Sequence, residues 1–120
     1  YSEHFFHEYE EVDWQHRSKK SGFKIYYTPN AKLWHKASST TGGFMTKEIV
    51  YYNSRNSIVL VGRHSRPLIF VIYVLQYLFW KMPLMSLSYL LKNRIDLISA
   101  RLRGISAGLI WIMQGYKTEV

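Results

Sequence analysis

The sequence predicts a mixed chain, α/β in its first half and helical after it. Three observations carry this: an acid-to-base graded stretch closed by a glycine, a β-favouring run closed by a proline, and long apolar stretches with helical periodicity. The graded stretch, residues 8–21, places Glu8, Glu10, Glu11 and Asp13 in its first turns and Lys19 and Lys20 in its last. That order complements the helix dipole, and Gly22 suits a left-handed C-terminal cap. Residues 23–28, with Ile25, Tyr26 and Tyr27, read as a strand that Pro29 ends. Residues 32–36 form a second extended piece with His35 near its end. The Ser-Ser-Thr-Thr-Gly-Gly run within residues 37–44 keeps many backbone states open and reads as a mobile loop beside the site.

Residues 46–61 read as a helix, with Ile49, Tyr52, Asn56 and Val59 on one face and Arg55 on another. Residues 67–80 are apolar but for Gln76, and Lys81-Met82-Pro83 separates them from a second apolar piece, residues 84–91. The first arm spans about 21 Å as a helix, short of the ~30 Å hydrocarbon core. A single crossing of the whole stretch buries Lys81 at ~2.5 to 3.5 kcal/mol and adds a proline kink. Arg63 and Arg66 precede the stretch and Lys92 and Arg94 follow it, so a re-entrant or interface-lying helical pair with both ends on the cytoplasmic side is expected. In the last segment Ile95, Ile98, Leu102, Ile105, Leu109 and Ile112 form a stripe, with Asp96, Arg101 and Arg103 off it. Gly104 and Gly108 at four-residue spacing allow close approach of another helix.

Sixteen Lys and Arg against eight Asp and Glu, a net charge of +8, favour a polyanionic neighbour. Aromatic residues at 17% and basic residues crowded around apolar stretches turn that preference toward an anionic membrane. Zinc spacing and RNA-stacking signatures are missing, so nucleic acid is not expected as a partner. The chain has no cysteine, hence no disulfide and no thiolate metal site. Its polar, acidic start does not look like a signal peptide.

The order Phe5-Phe6-x-x-Tyr9-Glu10-Glu11-Val12-Asp13-x-x-x-Arg17, then Gly22, Ile25, Tyr27, Pro29, Ala31 and Trp34-His35-Lys36, resembles the C-terminal half of the catalytic domain of family 2 inverting glycosyltransferases, especially rhamnosyltransferase-like members. Tyr51-Tyr52-x-x-Arg55-Asn56 is similar to the same subgroup. The resemblance implies an α/β fold of GT-A type, with residues 1–64 as the acceptor and base half of a catalytic domain and residues 65–120 as membrane-associated helices. At 120 residues, without an initiator Met and without an upstream Gly-rich loop or Asp-x-Asp motif, the nucleotide-binding half is expected to be missing and the isolated chain inactive.

For the chemistry, the resemblance implies transfer of a sugar, rhamnose being the one suggested, from a nucleotide-sugar donor to a polysaccharide or lipid-linked saccharide. Glu11 stands where the family has its catalytic base, an aspartate, with Glu10 in the preceding slot. His35 stands where a histidine serves a divalent ion, Mg or Mn, beside the donor diphosphate. Glu10, Asp13, Arg17, Lys36 and Arg55 are the substrate-binding candidates, and Asp13 and Arg17 also have the spacing of a helical ion pair. Trp14 and Trp34 have faces suited to stacking on a sugar, though aromatic residues beside such elements are more often core. His4, His7 and His16 lack any such register and are assigned to the surface. The rival expectation is a non-enzymatic membrane-associated interaction module, in which the basic helices bind anionic lipid and the acidic helix is merely exposed.

Overall fold

The computed structural model describes residues 5, 7–32, 34 and 46–115. The helices are α1 (Glu10–Lys20), α2 (Lys47–His64), α3 (Pro67–Gln76), a π-helical turn (Tyr77–Lys81), α4 (Met82–Leu91) and α5 (Ile95–Met113). Among the described residues 74% are helical and none forms a strand, so the class is all-α and the expected α/β architecture of GT-A type is corrected. Residues 23–28 run without regular structure and exposed, Tyr27 to 90%. β propensity builds a strand only beside a partner to share its backbone hydrogen bonds, and these residues have none among the described residues. The second extended piece and the loop at 37–44 lie largely or wholly outside the described residues.

Helix α1 ends as its sequence foretells. Gly22 adopts φ +86°, and the N–H groups of Gly22 and Phe23 donate to the carbonyls of Lys19 and Ser18 at 3.1 and 3.0 Å, the bonding of a Schellman cap. It begins two residues later than expected because Glu8 and Tyr9 both take the left-handed conformation, at φ 68° and 70°. Thr46 caps α2, its hydroxyl accepting from the Ile49 N–H at 3.3 Å. Pro67 opens α3 at a position where a missing N–H costs nothing.

The core is the packing of α2 on α5. A Cβ at Gly104 would stand 2.4 Å from the Tyr51 carbonyl oxygen, and one at Gly108 would stand 2.8 Å from that of Arg55. The two glycines therefore let the α5 backbone lie against the α2 backbone, the close approach their spacing suggested. This contact also widens the expected apolar stripe of α5: Ile105 is buried and Ile98, Leu109 and Ile112 are half-buried as read, but the buried face takes in Leu97, Ala100, Arg101, Gly104 and Gly108 as well. Ile95 and Leu102 point outward instead. In α2, Asn56 and Val59 are buried as expected, while Ile49 and Tyr52 are half-buried.

Pro67 to Leu91 is one unbroken 25-residue helical run, where a helical pair was expected. Pro83 lacks an N–H and its ring crowds the carbonyl four residues back; the π turn at 77–81 widens the helix there and absorbs the conflict. The run is long and apolar enough to cross a membrane, and only 11% of its most apolar window is buried. Tyr77 and Tyr89 turn inward onto Ile58, Ile105, Val50 and Leu97, whereas Leu68, Ile72, Leu75, Phe79 and Leu87 face outward.

Candidate functional site

The chemistry-bearing residues gather where α1 meets α2. Asp13 is fully buried, and its carboxylate receives three cationic or donor groups: Arg17 Nε at 2.9 Å, His64 Nε2 at 2.8 Å and Arg63 Nη1 at 3.3 Å. The Asp13–Arg17 pair has the four-residue spacing read from the sequence. Arg63 and His64 come from the last turn of α2 and were not anticipated, since nothing local in the sequence pairs residue 13 with residue 64. His16, assigned to the surface, is exposed and stacks on the His64 ring at 4.8 Å between centroids.

Burial alone would raise the Asp13 pKa, but the hydrogen bonds from His64 and Arg17 and the Arg63 charge outweigh it and hold the carboxyl below its ordinary 3.8. His64 is held below 6.5, burial outweighing the attraction of Asp13. The imidazole is thus neutral near pH 7. Its Nε2–H donates to Asp13, leaving Nδ1 unprotonated and buried without a hydrogen-bond partner among the described residues.

The turn before α1 is held separately. The Asn56 side-chain amide donates to the carbonyls of His7 and Glu8, the latter at 3.1 Å, while its Oδ1 accepts from Arg55 Nη1 at 2.7 Å. Two consecutive left-handed non-glycine residues cost about 1 to 2 kcal/mol each, and such strain persists only where the surroundings over-determine it. Asn56 supplies that determination. The Tyr-Tyr-x-x-Arg-Asn motif and the acidic motif, 48 residues apart at Glu8 and Asn56, therefore meet through this bond.

The consequence falls on the first turn of α1. Glu11 is exposed; Glu10 is half-buried, with Oε2 buried and without a hydrogen-bond partner among the described residues. Of the substrate-binding candidates, Asp13 and Arg17 pair on α1, with Asp13 out of solvent and Arg17 turned onto it, whereas Arg55 reaches only the turn before α1, through Asn56. His35 and Lys36 lie outside the described residues. Trp14 is about half exposed and Trp34 wholly so, which places neither in the core. A shallow cavity of about 170 Å³ lies between α1 and Ile25, lined by Val12, Gln15, His16 and Lys19. Among the described residues no three His, Asp or Glu side chains converge as a metal site.

No family model matches the chain, and neither the curated proteins nor the solved structures contain a match.

Proposed function

We propose that this chain carries the base of a membrane-associated inverting glycosyltransferase, with Glu11 as that base. The observation that carries the proposal is a division of labour between neighbouring carboxylates. Asp13 is ion-paired and buried, so it fastens α1, whereas Glu11 stands on the same turn of that helix with its carboxylate in solvent. A base needs both properties, because proton transfer depends on reach and on placement to within about 1 Å.

In the reaction, Glu11 accepts the proton of an acceptor hydroxyl as that oxygen attacks the anomeric carbon of a nucleotide-sugar. The bond to the nucleotide diphosphate breaks on the opposite face, the diphosphate leaves with the electron pair, and the anomeric configuration inverts. Arg55, beside the strained turn, and Lys36 are the cations assigned to the diphosphate, and Glu10 borders the acceptor. A divalent ion, Mg or Mn, would be served by His35, and no step here is routed through it. A rhamnosyl donor and a polysaccharide or lipid-linked acceptor remain the substrates implied by the family resemblance.

The outward apolar face of the Pro67–Leu91 helix, flanked by the exposed Arg66 and Lys92, supports attachment to the cytoplasmic face of an anionic membrane. Lying in the interface fits better than crossing, because the inner face of this helix carries α2 and α5 with it. A crossing would draw the buried Arg101 and Asn56 toward hydrocarbon.

The same face favours one other reading, a membrane module without catalysis. Replacement of Glu11 by Gln in the native protein separates the two. Abolished sugar transfer with intact vesicle binding is expected; unchanged transfer removes Glu11 from the mechanism and leaves the module.

A further inference from the structure

One side of the Pro67–Leu91 helix holds a second cavity, apart from the Asp13 cluster. A cavity of about 310 Å³ opens at the π turn, walled by Tyr73, Tyr77, Trp80, Leu84 and Met85 and edged by Lys81. Two cations touch one tyrosine of that wall. Lys81 Nζ lies 5.0 Å from the Tyr77 ring centroid, and Arg101 Nη1 donates to the Tyr77 hydroxyl at 2.7 Å. Arg101 also donates to the Tyr89 hydroxyl at 2.7 Å, is only 5% exposed, and keeps a buried Nε without a partner among the described residues. Neither cation forms an ion pair with any described carboxylate.

A buried guanidinium beside an ammonium, with tyrosine hydroxyls as its acceptors, leaves local positive charge uncompensated. Such charge is costly without an anion. The Tyr77 hydroxyl is turned inward onto Arg101, so the donor at the edge of the cavity is Lys81. The remaining wall is apolar and continuous with the outward face of Phe79, Leu84 and Leu87. π turns inside α-helices occur frequently at functional sites, and this one supplies Tyr77, Trp80 and Lys81 together.

We infer that this cavity binds an anionic membrane lipid, its phosphate at Lys81 and its first chain methylenes against Trp80, Leu84 and Met85. Arg101 is a positioning residue: it fixes both tyrosines and adds charge behind them. The inference rests on the membrane association proposed above and not on sugar transfer.

The test is a titration of short-chain phosphatidic acid, kept below its micelle concentration, onto the full chain in neutral detergent. Tryptophan fluorescence reads binding, with Trp80→Phe identifying the signal of the cavity. Saturable binding is expected, weakened roughly tenfold or more by Lys81→Gln, the loss of a charge-assisted hydrogen bond. Lys81→Arg should bind nearly as the wild type, and Lys92→Gln, outside the cavity, should not change it. Equal weakening by Lys81→Gln and Lys92→Gln, or no saturable binding, overturns the inference. Inorganic phosphate binding as tightly as the lipid does also overturns it, since the chain would then contribute nothing. Because sugar transfer is not read, failure here leaves the role of Glu11 untouched.

Discussion

Asp13→Asn keeps the shape of the side chain and deletes the charge on which α1 is fastened. Removing one partner of a buried ion pair costs ~3 to 5 kcal/mol, because the other charges stay buried. Here Arg17, at 37% exposure, can turn back to water, and its share falls to the ~0.3 to 0.5 kcal/mol of a surface pair. Arg63 and His64, at 10% and 6%, cannot. The amide oxygen of Asn still accepts one hydrogen bond, so the expected loss is at the lower end, about 3 kcal/mol. For a chain of this size that lowers Tm by about 10 to 15 °C. Since α1 packs loosely on the other helices, the loss should be local first. Thermal melts by circular dichroism would give the total, and amide exchange across α1 would show where it falls. A cost under about 1 kcal/mol, the value of an exposed pair, would refute the description of Asp13 as the fastening of α1.

Three other outcomes are expected. His64 is depressed below 6.5 in the folded chain, so as pH falls through that value the unfolded state takes up a proton that the folded state refuses, and stability declines. Asp13, depressed below 3.8, loses its contribution only further down; Tm against pH should therefore fall from about 6.5 in the wild type, and His64→Gln should remove that upper limb. Gly104→Ala should destabilise by about 2 kcal/mol in urea titration, overpacking against the Tyr51 carbonyl outweighing the ~1 kcal/mol that alanine adds in helix propensity; a stabilised variant would mean that the α2–α5 contact is wrongly described. Phe79→Glu, at a side chain 77% exposed, should leave the melting curve within about 0.5 kcal/mol of wild type while weakening vesicle sedimentation at least tenfold, and unchanged sedimentation would deny that this face meets lipid.

Local signals were legible in the sequence wherever their physics was local. The graded charges of α1, the Gly22 cap and the Asp13–Arg17 spacing need only neighbours within a few residues, and each stands in the structure as read. The Gly104 and Gly108 spacing was also legible, because only small residues admit a backbone. What misled was judging burial by side-chain size. Close packing in α5 selects glycine and alanine for the inner face and sends Ile95 and Leu102 outward, and it buries Arg101, which two tyrosine hydroxyls accommodate. Residues 23–28 show the other limit, since β propensity describes a strand's fitness and not the presence of its neighbour. The knot of Asp13 with Arg63 and His64 joins positions about fifty apart, and one sequence contains no signal that links them.

The central claim is that Glu11 acts on the reacting hydroxyl while Asp13 only holds the helix. Steady-state kinetics of sugar transfer by Glu11→Gln, with the donor concentration varied and folding checked by thermal melt, tests it most directly. Loss of a general base should lower kcat by ~100-fold or more, with donor KM and Tm close to wild type. A variant that keeps its kcat, or that loses activity only in step with its fold, would contradict the account.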